Sequence, residues 1–514
     1  MQDEDDARAD APAMDDLLSS AMSALSHSAL IGDADGHVVR EGNVLGSTAT
    51  LANCAIGAGV LATPFAVSKF GTVAGGIVIF VTALLVTYTL VVLVRAGSVF
   101  SSASYQGVVK DAFGLSASRA VSATLVVYLF GSCVAYLIII GDSYTKAVAA
   151  LAHGSDGAWW ASRQFAIAVV VSFVVTPLSL LREMSRLAPA SAAALVSLAY
   201  TAFAIMCKGF AKVDDGAPKA VAFKLDADSI SAVPIIVFAF QCHIQVLAIF
   251  SELSAHASGT DENSESLDAV DDELVERKRV RRMHSVIALA IGACFVGYFL
   301  VGEFAYASHP NVSSNVLDSY DKGDATMTVA TIFMGFSAIA SFPVNHHAAR
   351  AALDDLLATT FGWEECAPGQ APISRHATQT FGFVLTTTLV AFAVTDLGEV
   401  FQLIGATCGS LVMFVIPALL LLHPRMRSKN NAGTNAMDDD LQGLDDVTRE
   451  LLSSAHELLQ SDLDDDLDFG DDERGSSSSS KNLPGPGTCV IAATLILFAA
   501  FVAVSNVYVL FFRK

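Results

Sequence analysis

Leu51-Ala-Asn-Cys-Ala-Ile-Gly-Ala-Gly-Val-Leu-Ala-Thr-Pro64 is a hydrophobic stretch with two glycines two apart at its centre, Gly57 and Gly59, and a proline at its end. A second such stretch is Val233-Pro-Ile-Ile-Val-Phe-Ala-Phe-Gln-Cys-His-Ile-Gln-Val-Leu247. It carries Pro234 near its start and Gln241, His243 and Gln245 in its middle. Glycine lets the backbone leave the helix cheaply, and proline removes a hydrogen-bond donor. At membrane depth, non-helical backbone is tolerated only where it is buried in protein or lines a cavity. Two interrupted spans in matching places of two halves point to the binding site of a secondary transporter. The alternative is a pair of kinked structural helices, since glycine is common in membrane spans.

Composition supports a membrane setting for both stretches. The chain has 514 residues, of which 53% are hydrophobic and only 16% charged. Soluble domains carry about 25% charge. The apolar residues fall in blocks of about 18 to 25, the length that crosses the hydrocarbon core. These blocks lie near 46–70, 72–95, 119–149, 164–181, 189–210, 230–253, 284–306, 325–347, 376–394, 398–422 and 487–511. The fold class is therefore an all-α integral membrane protein with about eleven transmembrane helices. Spans 1–5 and 6–10 form two five-helix halves whose first members are the interrupted ones.

The formal net charge is −22, and 33 of the 52 acids lie in three segments: up to Glu41, Asp261 to Glu276, and Asp438 to Glu473. Such runs read as solvated tails and loops, so they say little about a substrate. Apolar residues spaced along Leu444–Leu463 and Asp15–Leu25 give acidic helices one apolar stripe each, able to dock on cytosolic partners or on one another. With the N-terminus cytosolic, 20 basic residues fall inside and 10 outside, led by Arg277-Lys-Arg-Val-Arg-Arg282 before span 7. The chain then divides into an acidic cytosolic tail (1–45), a first repeat (46–211), a non-cytosolic loop (212–229), a second repeat (230–422), an acidic cytosolic loop (423–486) and an eleventh span with a short tail (487–514). Asn311-Val-Ser313, on the non-cytosolic side, is a glycosylation candidate. The segment after Asn345 is amphipathic and suits the membrane surface.

Eight cysteines sit mostly in or beside apolar spans with no metal-type spacing, and they read as small apolar residues. Cys54 and Cys242 fall in the interrupted spans and are candidates to face a cavity. The chain carries no nucleotide-binding glycine loop, no nucleophile elbow and no histidine or carboxylate metal cluster. Enzyme and ATP-driven pump readings thus have no residues to stand on, and neither a cofactor nor a nucleic acid is implied. His346 and His347 are adjacent on a helix and point about 100° apart, which suits a helix-end cap or gate better than one ligand site.

Asn53-Cys-Ala-Ile-Gly-Ala-Gly-Val-Leu61 resembles the first-span signature of the amino acid/auxin permease family, in particular its sodium-coupled neutral amino acid transporters (solute carrier family 38 type), which read approximately Asn-x-x-x-Gly-Ser-Gly-Ile-Leu there. Phe240-Gln-Cys-His243 with Glu252, Ser341-Phe-Pro-Val-Asn-His346 with Arg350, Asp396 through Pro417, and Tyr105 through Gly114 resemble the same family in the same order. The resemblance covers residues 46–422 and implies a LeuT-type 5+5 inverted repeat with broken helices 1 and 6. It also implies a transporter of small neutral amino acids, glutamine among them, working by alternating access and coupled to Na⁺.

On that reading, unwound backbone at Ile56, Gly57, Ala58 and Gly59 holds the zwitterion. Phe238, Phe240, Gln241 and His243 supply the other half-site. Helix N-termini suit the carboxylate and C-terminal carbonyls suit the ammonium. Na⁺ is a hard cation that wants oxygen ligands. Asn53 and Ser341 match the family's cation-coordinating positions, and Ser337 lies one turn before Ser341. The competing reading is proton coupling through Asp142 or His243, titratable groups inside apolar spans, in a vacuolar or lysosomal exporter. A third is a sensor of the same fold. The plasma membrane and the vacuolar or lysosomal membrane both suit the sequence.

Overall fold

Inside hydrocarbon every backbone polar group needs an internal partner, so the apolar blocks can only become helices. The computed structural model describes residues 44–57, 59–151, 158–182, 188–213, 220–224, 226–253, 269–321, 323–363, 371–426 and 486–512. The striped acidic segments at 15–25 and 444–463 lie outside them, as does Ala58.

Span 1 is two helices, α1 (Val44–Ile56) and α2 (Gly59–Phe70), whose axes differ by 56°. Then come α3 (Thr72–Phe100), the short α4 (Tyr105–Phe113), α5 (Leu115–Leu151), α6 (Arg163–Ser179) and α7 (Ala188–Val213). Span 6 is again two helices, α8 (Ala227–Ala239) and α9 (His243–Glu252). They are followed by α10 (Ala269–Ser308), α11 (Ala325–Phe361), α12 (Ile373–Ala393), α13 (Leu397–Leu422) and α14 (Pro486–Phe512). Among the described residues, eight helices are long and apolar enough to cross a membrane, and the bent pair α1–α2 makes a ninth. The shorter α6 and the threonine-rich α12 stand where spans 4 and 9 are expected. Large apolar side chains such as Phe173, Phe203, Leu385 and Leu497 are more than half exposed, as lipid-facing residues are.

Helix packing repeats itself when five is added to each span number. Span 1 packs on span 7 (α1 and α2 on α10), and span 6 packs on span 2 (α8 and α9 on α3). Span 8 lies on spans 4 and 5, and span 3 lies on spans 9 and 10. Spans 3 and 8 form the most extensive pair, each serving as the other's counterpart. Five is odd, so a chain that repeats its packing after five crossings starts the second set from the opposite side. That relation is what makes the repeat inverted.

Local sequence explains the helix ends. Gly71 has φ +85°, and a Cβ there would stand 2.5 Å from the Val221 carbonyl, so the turn into α3 requires glycine. The 221–224 strip covers that turn: Val221 and Ala222 carbonyls accept from Thr72 and Val73 N–H, and Lys224 N–H donates to Phe70. Asp226, Asp324 and Asp396 cap α8, α11 and α13 through their carboxylates. In α6 and α13 a π-turn (Val171–Val175 and Leu411–Val415) is followed two residues later by Pro177 and Pro417. The wider turn accommodates the ring that would otherwise strike the carbonyl four residues back.

α11 does not bend along the membrane surface after Asn345, as its amphipathic sequence suggests. It runs unbroken to Phe361, and its apolar side is taken up by α5. Arg119 of α5 donates to the Thr359 carbonyl, and Ser122 donates to the Asp355 carboxylate. The basic run at 277–282 lies within α10, which already starts at Ala269, so the second half of the Asp261–Glu276 segment is helical rather than loop. Below, the end of the bundle that carries α4 is called the α4 face.

Candidate functional site

The two helix breaks meet. α1 ends at Ile56 and α2 restarts at Gly59; α8 ends at Ala239 and α9 restarts at His243. Between α8 and α9 the chain makes a tight turn, with Phe240 N–H donating to Val237 and Gln241 N–H to Phe238. A Cβ on Gly59 would lie 2.7 Å from the Ala239 Cα, so the start of α2 rests directly on the end of α8. That contact is why Gly59 stands where it does.

A narrow cavity opens at this junction. Span 1 contributes Cys54, Ala55, Gly57 and Gly59 to its lining, and span 6 contributes Phe238 and Gln241. α5 adds Ser132 and Tyr136, and α13 adds Phe401. Among the described residues, no lining side chain is charged. Ser132 Oγ donates to the Tyr128 carbonyl and lies 3.4 Å from Gln241 Oε1. The Tyr136 hydroxyl accepts from Asn345 Nδ2 of α11 at 3.3 Å and would meet a Cβ on Gly57 at 3.4 Å. Phe238 and Phe401 form an aromatic wall of the cavity, stacked at 4.5 Å, with Tyr128 set edge-on to Phe238 at 5.8 Å.

Of the residues expected at a substrate site, Gly57, Gly59, Phe238 and Gln241 come together around this cavity. Ile56 is half-buried and packs on the core without lining it. Phe240 and His243 do not line it. Phe240 is fully buried edge-on against Tyr298 of α10, and His243 Nε2 lies 2.9 Å from Thr89 Oγ1 of α3. The turn at 240–242 re-aims the chain, so Phe240, next to Gln241, and His243, two residues past it, look elsewhere. Cys54 lines the cavity, whereas Cys242 is buried behind it. None of the seven described cysteines is joined in a disulfide.

The expected cation ligands occupy two elements. Asn53 is half-buried in the last turn of α1, while Ser341 and the buried Ser337 lie on α11. Tyr136 links those elements: its hydroxyl lies beside Gly57 and accepts from Asn345 of α11. An amide oxygen, hydroxyls and the carbonyls of a helix end are chemically suited to Na⁺.

Asp142 lies six residues past Tyr136 on α5, about 9 Å along the axis. Its carboxylate is 3.0 Å from Arg163 Nε of α6, and the neighbouring Lys146 pairs with Asp318 at 2.8 Å. Asn311 is exposed on the α10–α11 connection at the same end. At the α4 face, Arg350 donates to the Ser179 carbonyl, His376 lies 3.1 Å from the Leu180 carbonyl and His347 3.3 Å from that of Arg182. These groups close the C-terminal end of α6, whose last carbonyls have no partner in their own helix. His346 instead sits between the Phe342 and Phe383 rings.

Sequence reasoning missed Ser132, Tyr136 and Phe401. All three lie in spans that read as plain apolar helices. Their only local signal is a hydroxyl or aromatic ring on one helix face, a signal shared by many residues that face other helices.

A bundle of membrane-crossing helices with an uncharged cavity between two broken spans has the construction of a secondary transporter. The chain belongs to the transmembrane amino acid transporter family, whose model matches residues 40–260 and 267–441. It is similar to sodium-coupled neutral amino acid transporter 7 of Danio rerio, 26% identical over 400 residues (76% of this chain, 81% of that one). The Homo sapiens counterpart is 28% identical over 394 residues (75% and 80%). Vacuolar amino acid transporter 2 of Saccharomyces cerevisiae is 26% identical over 400 residues (74% and 76%). Among solved structures, MhsT in complex with L-phenylalanine aligns over 90% of this chain and 97% of its own at 12% identity and TM-score 0.47. A Na⁺-coupled sialic acid symporter aligns over 77% and 84% at 12% identity and TM-score 0.45. These relatives are transporters, not enzymes.

Proposed function

We propose that this amino acid transporter carries small neutral amino acids, glutamine among them, by alternating access coupled to Na⁺. The observation that carries the reading is the cavity at the two helix breaks, which offers backbone and neutral polar groups and no charged side chain. A zwitterion needs a donor-rich place for its carboxylate and an acceptor-rich place for its ammonium. The N-terminus of α2 offers unpaired N–H groups, and the C-termini of α1 and α8 offer carbonyls. A cationic or anionic side chain would have no counter-charge among the lining residues, and burying it there would be costly. Gln241 and Ser132 suit an amide or hydroxyl side chain.

Na⁺ binding at Asn53, Ser341 and Ser337 would draw α1 toward α11. Substrate and ion would then favour the same arrangement, which is thermodynamic coupling. The names of the animal relatives support Na⁺, and that of the yeast relative supports a vacuolar membrane as the second reading. The ion pair of Asp142 with Arg163 speaks against Asp142 as a free proton carrier. In the proposed orientation the α4 face is cytosolic, the Asn311 connection is non-cytosolic and open to glycosylation, and the five-span units follow the limits 46–211 and 230–422.

The test is uptake into proteoliposomes of a panel of neutral, cationic and anionic amino acids, with Na⁺ and pH gradients imposed separately. Uptake of neutral amino acids driven by Na⁺ is expected. Uptake that ignores Na⁺ and follows a proton gradient would replace it with the exporter reading. Substrate binding without accumulation would replace it with a sensor.

A further inference from the structure

We infer that Tyr298 of α10 is a positioning residue that ties the two helix breaks to each other and so sets the cavity between them; this rests on the reading of that cavity as the substrate site. In an unbroken helix the Ala55 carbonyl would accept from the N–H of Gly59, and the Ala239 carbonyl from that of His243. Gly59 and His243 are the residues at which α2 and α9 restart in new directions. Both breaks therefore withdraw the usual donors from the last carbonyls of α1 and α8, Ala55 and Ala239 among them.

The Tyr298 hydroxyl lies 2.7 Å from the Ala55 oxygen and 2.7 Å from the Ala239 oxygen. A tyrosine hydroxyl has one proton to donate, so two carbonyls from two different spans share a single donor. The arrangement is fully buried: Tyr298 is 1% exposed, with Phe240 edge-on to its ring at 5.0 Å. A buried carbonyl left without a donor is costly. The ends of α1 and α8 therefore stay together while the hydroxyl bridges them.

The residues that follow those ends are the ones that line the site, Gly57 after α1 and Gln241 after α8. Loss of the bridge lets the two half-sites drift apart. Substrate affinity then suffers before turnover does. Phe240, which does not reach the cavity, acquires a role as the ring that fixes the orientation of Tyr298.

The test uses full-length protein in proteoliposomes and Tyr298→Phe, which keeps the ring. L-glutamine uptake is measured as KM and Vmax per folded protein. In parallel, alkylation of Cys54 by N-ethylmaleimide is followed by peptide mass spectrometry, a readout that needs no transport. The expected result is a KM raised about tenfold with Vmax nearly unchanged, and faster alkylation of Cys54. Incorporation of p-aminophenylalanine at position 298, which offers two N–H donors, should restore both. Unchanged KM and unchanged alkylation, with only the yield of folded protein reduced, would overturn the inference. Should Tyr298→Phe not fold, Phe240→Leu supplies the milder perturbation: raised KM and faster alkylation support the bridge, and unchanged values overturn it. Wild-type protein that takes up none of the neutral amino acids would end the substrate reading instead, and Cys54 alkylation would then decide the bridge alone.

Discussion

Gly59 and Ala239 touch backbone to backbone: a Cβ added to Gly59 would fall 2.7 Å from the Ala239 Cα and 2.8 Å from its Cβ. A Cβ added to Gly57, two residues away, would meet the Tyr136 hydroxyl at an ordinary 3.4 Å and the Cys54 carbonyl at 4.0 Å. The two glycines of the break are therefore unequal. Gly59→Ala should force α2 off α8 and cut uptake more than tenfold, whereas Gly57→Ala should keep uptake within about threefold. Uptake normalised to surface protein checks both, and equal tolerance at the two positions would contradict the packing of α2 on α8.

The Phe238–Phe401 stack covers one side of the cavity. Phe401→Ala should open that side, destabilise the protein by roughly 3 kcal/mol through lost burial, and raise the substrate KM. Phe401→Leu should fall between alanine and wild type. Thermal unfolding in detergent together with uptake kinetics measures the two effects, and a substrate KM that stays constant across the series would remove Phe401 from the site.

Coupling to Na⁺ can be tested on the two elements proposed to hold the ion. Asn53→Ala should raise the Na⁺ half-saturation about tenfold, since a lost buried partner costs on the order of 1 to 3 kcal/mol. Ser341→Ala should act less on Na⁺, because Ser341 contributes one hydroxyl that water can replace. Substrate affinity in Asn53→Ala should recover at high Na⁺. A Na⁺ dependence identical to wild type in both variants would exclude these ligands.

Asp142 and Arg163 make a compensation test of the proton-relay alternative. Asp142→Asn leaves the Arg163 charge in a largely buried position without its partner and should lower stability by about 3 kcal/mol. Asp142→Asn combined with Arg163→Gln should recover most of that loss and most of the uptake. A proton carrier would not be rescued in this way, so failure of the double variant to transport would restore Asp142 as a coupling residue.

Sidedness follows from α11, whose two ends lie at opposite faces of the bundle. A glycan or tag near Asn311 should be accessible from outside the cytosol, and a tag after Phe361 from the cytosol. Protease protection in sealed vesicles reads both positions, and access from the same side would reject the proposed topology.

The sequence by itself determined that this is a helical membrane protein and where its two breaks fall. Hydrophobic length is a local property, and so are the glycines of 57–59 and the polar run Gln241–His243, because a helix in lipid cannot hide a backbone defect. The resemblance of ordered motifs carried the family. Which side of each break faces the cavity was decided only by the tertiary structure. Gln241 and His243 are two residues apart and equally polar in sequence, yet the turn at 240–242 sends one to Ser132 at the cavity and the other to Thr89 behind it. Tyr136, Phe401 and Tyr298 owe their positions to helices that are distant in the chain and meet only when the two five-span units pack together. Ala55 and Ala239 look inert in the sequence. They matter because each break strips a carbonyl of its helical donor, and the nearest replacement, the Tyr298 hydroxyl, comes from α10 across the fold.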